Sequence, residues 1–188
     1  MENHGTIYPK DAPSHQLHHA WTFWYVRRVQ GSKATNYENN IKMLGSFDTV
    51  EGFWNYYSHL VRPNELPVTS DYLTFKKGIK PMWEDDANRK GGKWIVRLRK
   101  GLASRYWEEL LLAVVGEQFD VGEDEICGVA VSIRFQEDIL SVWNKNADDL
   151  DAKARIQDRM RRIFYSVPNV VMEYKPHEEA LKVVNSLN

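Results

Sequence analysis

At positions 83 and 84 a tryptophan stands beside a glutamate, in the stretch KPMWEDDANRKGGKW, between a proline and a charged turn bearing two glycines. A turn has no need of so large a ring. Together the two side chains have a defined chemistry. Indole is the strongest side-chain ring for holding a flat cation over its face, and an ionised carboxylate accepts two parallel N–H bonds in one plane. Guanine offers such a donor pair on its Watson–Crick edge, N1–H and the N2 amino group, and methylation at N7 makes the base cationic. A 7-methylguanine ring is therefore well served by aromatic stacking with a carboxylate at its edge. The triphosphate of an mRNA cap adds a need for nearby Lys or Arg. Taken alone, such a pair is more often a packed aromatic beside a solvated acid, and a run like Glu84-Asp85-Asp86 is usually a solvated turn.

The cations are present. In KWIVRLRK the strand pleat sets Lys93, Ile95 and Arg97 on one face and Trp94, Val96 and Leu98 on the other. In VSIRF, Arg134 alternates with Val131, Ile133 and Phe135, which frees it from the side those three would bury. These segments need elements to position them. AWTFWYVRR alternates, with Trp21, Phe23 and Tyr25 on one face and Thr22, Trp24 and Val26 on the other, and reads as a strand. NNIKMLGSF is a weaker second strand. Asp48-Thr49-Val50-Glu51 resembles a capping box opening a helix that runs to about Leu60, before Pro63. DYLTFKKG and KWIVRLRK are further strands. SRYWEELLLAVVGE is a second helix ended by Gly116. ICGVAVSIRFQ and DILSVWNK form a hairpin around Glu137, LDAKARIQDRMRRIFYS is a third helix, and NVVMEYK a last strand. Hairpin-linked strands with three helices predict an α+β domain, the helices on one face of an antiparallel sheet.

A chain of 188 residues, 43% hydrophobic and 27% charged, suits one soluble domain with a real core. The first 16 residues are polar with Gly and Pro breaks and are expected to be a disordered tail, leaving residues 17–188 as the single domain. His15, His18 and His19 are read as part of that flexible end, with no metal site expected. Cys127 is the only cysteine, which suits a reducing compartment. No signal-peptide pattern or apolar run of about 20 residues occurs, so a cytoplasmic location is expected. A net charge of −1 excludes a uniformly basic nucleic-acid binder but not a local basic patch.

Four segments, KPMWEDDANRKGGKW, FDTVEGFWNYYSH, WEELLLAVVGEQFD and ICGVAVSIR, resemble the cap-binding translation initiation factor 4E family, in the family's order, from about Leu17 to Lys175. The likeness is closest to its second, 4E-homologous class, of translational repressor type. The resemblance implies a curved antiparallel sheet backed by three helices on its convex face, with the mRNA cap on the concave face. It implies Trp83 as one stacking ring, Tyr37 in NYENNI as the other, Glu84 as the guanine-edge carboxylate, Trp143 at the N7-methyl group, and Lys93 and Arg134 on the phosphates. A further phosphate-binding lysine of the first class falls on Ile139, which cannot do that work. Arg97 shares the face of Lys93 and is read as a compensating cation.

In the first helix Val50 and Trp54 make one stripe, and Phe53, Tyr57 and Leu60 another better suited to the core. In the second, Leu110 and Val114, Leu111 and Val115, and Leu112 form three stripes spanning about 200°, too wide for one buried face. A broad core face and a partner site both remain open from the pattern alone. The resemblance assigns Val50, Trp54 and Leu112 to a dorsal surface taking a helix with a Tyr-x-x-x-x-Leu-apolar motif. Arg155, Arg159, Arg161 and Arg162 read as a solvated face of the third helix.

The expected function is thus non-enzymatic. The protein, as a monomer without cofactor, binds the 7-methylguanosine 5′ cap and inhibits translation initiation by competing for caps and recruiting repressor partners. Tyr37, Ile139 and Glu108 lean toward that role. The alternatives are a first-class factor recruiting the initiation scaffold and a generic single-stranded RNA binder. A hydrolase built on Glu84, Asp85 and Asp86 fits poorly, because adjacent carboxylates on a short turn seldom make an opposed catalytic pair.

Overall fold

Period-two alternation of apolar side chains builds seven strands among the described residues, and three amphipathic helices cover one side of them. The computed structural model describes residues 14–27 and 40–178. The strands are β1 (Gln16–Arg27), β2 (Ile41–Thr49), β3 (Ser70–Lys76), β4 (Gly92–Arg99), β5 (Ile126–Ile133), β6 (Glu137–Asn144) and β7 (Met172–Pro176). Among the described residues the α-helices are α1 (Val50–Tyr57), α2 (Ala103–Val115) and α3 (Leu150–Ile163). All pairings are antiparallel, in the order β2-β1-β3-β5-β6-β4-β7, and the sheet is curved. The anticipated α+β class and helix placement hold.

The helical side carries the main core. Trp21 and Phe23 of β1, Val96 and Leu98 of β4, Val129, Val131 and Ile133 of β5, and Leu140 and Val142 of β6 pack with Phe53, Tyr57, Trp107, Leu110, Leu111, Ile156 and Met160 from the helices. The opposite, concave face has a smaller cluster of Val26, Leu73, Phe75, Cys127, Ala130 and Trp143. Alternation in β1, β4 and β5 therefore sorts as expected, and Arg134 escapes the helical side. Phe135 does not join Ile133: β5 ends first, and the ring is 83% exposed on the β5–β6 turn.

Several ends differ from the sequence expectation. Helix α1 is capped by Thr49, whose hydroxyl accepts from the Gly52 N–H at 2.9 Å. Glu51 therefore does not reach back to Asp48. It accepts instead from the His15 backbone at 3.0 Å and pairs with the His15 ring at 2.6 Å, contacts that hold its carboxyl down to about 2. The helix ends at Tyr57, short of Leu60. Helix α2 ends at Gly116, but the left-handed residue of the exit is Glu117, with φ 53°. Its wide apolar arc is mostly buried, Leu112 being the stripe left out at 37% exposure. His18 and His19 belong to β1 rather than to a flexible end. They bond Glu123, His18 to its carboxylate at 2.8 Å and His19 to its carbonyl at 2.9 Å. Among the described residues no His, Cys, Asp and Glu cluster suits a metal, and no helix is long and apolar enough to cross a membrane. Tyr37 and residues 1–13 lie outside the described residues.

Candidate functional site

The concave face can be mapped by strand register, since directly paired residues point to the same side. One row runs Phe75, Gly128, Trp143, Lys93, Lys175; a second runs Leu73, Ala130, Ser141, Ile95, Glu173; a third runs Asp71, Ser132, Ile139, Arg97. Arg134 follows Ser132 by two residues and extends this face. Lys93, Trp143, Arg97 and Arg134 are thus brought to one surface from three strands. Arg97 stands directly across from Ile139.

Trp143 is held in place by its neighbours. The Phe75 ring meets it edge-on at 5.2 Å, and the Lys93 ammonium lies 5.1 Å from its ring centre. Its indole N–H donates to the Ser141 hydroxyl at 3.2 Å. Phe75 fits because position 128 is glycine: a Cβ there would lie 2.4 Å from the Phe75 ring. The His177 ring lies against Trp143, tilted by 41° with ring centres 4.4 Å apart, and is almost fully buried. No sequence pattern pointed to it.

The Trp83–Glu84 pair stands on the loop between β3 and β4, and that loop is braced from within. The Asp85 carboxylate accepts from the backbone N–H groups of Lys80 at 2.9 Å and Ala87 at 3.0 Å. The fully buried Asn88 donates to the carbonyls of Lys80 at 2.9 Å and Met82 at 2.8 Å. Arg89 donates to the Glu84 carbonyl at 3.1 Å and pairs with Asp86 at 3.0 Å. The loop closes onto β6 at Gly91, where a Cβ would lie 1.9 Å from the Asn144 carbonyl oxygen. Trp83 is half-buried and Glu84 exposed. Among the described residues nothing engages the Glu84 carboxylate. The acidic run is therefore divided: Asp85 braces the loop, Asp86 pairs with Arg89, and Glu84 alone is open to a ligand. An opposed catalytic carboxylate pair is not formed.

Two of the candidate cations already have carboxylate partners. Arg134 donates to the buried Asp71 at 2.6 Å and to the Ile133 carbonyl at 3.0 Å. Arg97 bonds Glu137. A charged residue in the central strand DYLTF needs a partner, and that requirement at Asp71 was the signal by which this pair could have been anticipated.

On the helical side Val50, Trp54 and Leu112 are 38%, 37% and 37% exposed, unlike the buried Phe53, Tyr57, Leu110 and Leu111 around them. Arg62 links α1 to α2 by donating to the Tyr57 hydroxyl at 2.6 Å and to Glu108 at 2.8 Å. Glu108 lies one helical turn before Leu112 and so borders the exposed apolar residues. Two of the α3 arginines pair within the helix, Arg155 with Asp151 at 3.0 Å and Arg161 with Asp158 at 3.6 Å, while Arg159 bonds Gln118 beyond the end of α2.

The family description "Eukaryotic initiation factor 4E" matches residues 16–188. The chain belongs to the eukaryotic initiation factor 4E family. Over 168 residues it is 48% identical to the Oryza sativa subsp. japonica eukaryotic translation initiation factor NCBP, covering 89% of this chain and 74% of that protein. It is 46% identical over 181 residues to Caenorhabditis elegans eukaryotic translation initiation factor 4E-4, covering 94% and 85%. Among solved structures, C. elegans eIF4E-3 in complex with the 4E-binding protein Mextli and cap analog matches with a TM-score of 0.84 and 38% identity, covering 90% of this chain and 96% of that one. These initiation factor 4E relatives are consistent with the 4E-homologous class anticipated from sequence.

One consequence of this site concerns pH. Burial, aided by the Lys93 ammonium, pushes the His177 imidazole down to about 4. The unfolded chain takes up that proton near 6.5 while the native protein resists it. The stability linked to a neutral His177 is therefore complete above pH 6.5 and is lost as pH falls toward about 4. The loss should reach roughly 2–3 kcal/mol at the low end. Denaturant midpoints for the parent and His177→Gln at pH 7 and pH 5 are expected to show a steeper fall in the parent. Equal slopes would mean that His177 is protonated as easily in the fold as out of it.

Proposed function

We propose that this protein binds the 7-methylguanosine 5′ cap of mRNA, catalyses no reaction on it, and represses translation initiation by competing for caps with the initiating factor and recruiting repressor proteins. The observation that carries the reading is the braced loop offering Trp83 beside an unengaged Glu84 carboxylate, next to a concave face bearing Lys93, Arg97 and Arg134. Trp83 stacks on the cationic base, and Glu84 accepts from N1–H and the N2 amino group. Tyr37 supplies the second ring, Trp143 lies at the N7-methyl group, and Lys93, Arg97 and Arg134 hold the phosphates. The complex of C. elegans eIF4E-3 with cap analog and Mextli supports both binding activities.

Arg97 replaces the lysine that Ile139 displaces. It springs from the position directly across β4 and β6, and phosphate competes with Glu137 for its guanidinium. A generic single-stranded RNA binder is disfavoured, because an open carboxylate at the stacking ring repels phosphate and suits only a base edge. Val50, Trp54 and Leu112 take a partner helix with a Tyr-x-x-x-x-Leu-apolar motif, and the protein acts as a cytoplasmic monomer. That same surface suits an initiation scaffold, which is the runner-up reading. Glu108, engaged by Arg62 beside Leu112, favours the repressor class instead.

A cell-free extract tests the role. Added in excess, the protein is expected to lower translation of a capped reporter while sparing an uncapped one, and Glu84→Gln is expected to leave both unchanged. Restoration of translation to an extract cleared of its cap-binding factor would assign the protein to the initiating class.

A further inference from the structure

Phe135 is the most exposed large apolar side chain among the described residues, at 83%. A Phe in that setting is normally covered, and β5 has ended just before it, so the sheet gives no reason for it. Nor does it sit on a loose loop. The Arg134 N–H donates to the Glu137 carbonyl at 3.2 Å, closing the turn. Lys100 donates to the Arg134 carbonyl at 3.0 Å and to the buried Asp138 at 2.5 Å, and the Thr69 N–H donates to the Ile133 carbonyl at 2.9 Å. The ring is held out on a turn anchored from two sides.

Its position follows from the register map. The Trp83 loop enters β4 at Gly92, beside Trp143 and Lys93. From Trp143 to Ile139 is four residues along β6, about 13 Å toward the other end of the concave face. There stand Arg97 and Arg134, and the turn carrying Phe135 comes next. A cap with its base at Trp83 and its phosphates along Lys93, Arg97 and Arg134 delivers the following nucleotide to this turn. The cations around it, Arg97, Arg99, Lys100 and Arg134, outnumber the carboxylates facing them, Asp71, Glu137 and Asp138. Three of the four are ion-paired, which leaves a net excess of one cation beside an anchored aromatic, a combination that suits the stacking of single-stranded RNA bases.

We propose that Phe135 is the stacking platform for the base that follows the cap triphosphate, so that this protein binds capped RNA more tightly than the cap nucleotide alone. The assignment rests on the cap reading, and the test separates the two. Calorimetric titration uses 7-methylguanosine triphosphate and a short capped RNA, against the parent, Phe135→Ala and Phe135→Trp. For Phe135→Ala, affinity for the cap nucleotide is expected to stay within about twofold, and affinity for capped RNA to fall roughly fivefold or more. Phe135→Trp is expected to keep the capped-RNA advantage. Because the ring is exposed, the melting temperature should not move.

A parent that binds both ligands equally, or a Phe135→Ala variant that binds capped RNA like the parent, would overturn the platform and leave cap binding standing. Loss of a protein partner by Phe135→Ala with capped-RNA affinity unchanged would also overturn it, in favour of protein docking. A parent that binds neither ligand removes the cap reading and the platform with it.

Discussion

Trp83→Ala and Glu84→Gln are each expected to abolish retention on a 7-methylguanosine resin while the protein stays folded. Glu84→Gln is the sharper change. It keeps the shape of the side chain and removes the charge and one acceptor, and it touches an exposed carboxylate that nothing in the described structure engages. Stability should move by no more than about 0.5 kcal/mol. The lost charge-assisted bonding should cost about 1.5–3 kcal/mol of binding, roughly tenfold or more in affinity. Trp83 is half-buried, so its removal has some cost to the fold, but the hydrogen bonds of Asp85 and Asn88 to the loop backbone do not involve it. Circular dichroism of both variants accompanies the resin assay. Parent-like retention by either folded variant would remove that residue from the site.

Trp54→Ala should separate partner binding from everything else. The ring touches Phe53 and Tyr57 edge-on at 5.0 and 5.9 Å, yet it is 37% exposed. A buried tryptophan would cost about 3–5 kcal/mol on truncation, and this one should cost near 1 kcal/mol. At about 2–4 °C per kcal/mol for a chain of this size, the melt should fall by only a few degrees. Binding of a Tyr-x-x-x-x-Leu peptide should lose at least about 2 kcal/mol, as for an interface hot spot. Cap-nucleotide binding should be unchanged, because Trp54 lies on the helical side and Trp143 and Lys93 lie on the other. A melt lowered by more than about 10 °C would return Trp54 to the core.

What the sequence made legible was local and periodic. Alternation alone placed Trp21 and Phe23 against Trp24 and Val26, and Trp94, Val96 and Leu98 against Lys93 and Arg97, because a strand's period admits one assignment once either face is apolar. The exposure of Val50, Trp54 and Leu112 followed from helical stripes and the family likeness. Sequence-distant pairings were not legible. The row that sets Lys93 beside Trp143, and Arg97 across from Ile139, depends on β6 lying between β5 and β4, an order that no local pattern encodes. His177 follows the last strand and carries no periodic signal, yet its ring packs against Trp143. The capping box failed for a related reason. Thr49 and Asp48 are both competent caps, and the contact of Glu51 with His15, 36 residues away, is consistent with the choice of Thr49. Phe135 was misplaced because its parity was right while the strand had already ended.

Cap recognition of the proposed kind requires preference for the methylated, cationic base. Calorimetric titration of the unmodified protein with 7-methylguanosine triphosphate and with guanosine triphosphate measures it without any variant. The two ligands share the phosphates, the ribose and the Watson–Crick edge proposed to meet Glu84, and they differ in the cation offered to the aromatic ring. A desolvated cation–π contact worth about 2 kcal/mol predicts roughly 30-fold tighter binding of the methylated nucleotide. Equal affinities, or no binding of either, would contradict it.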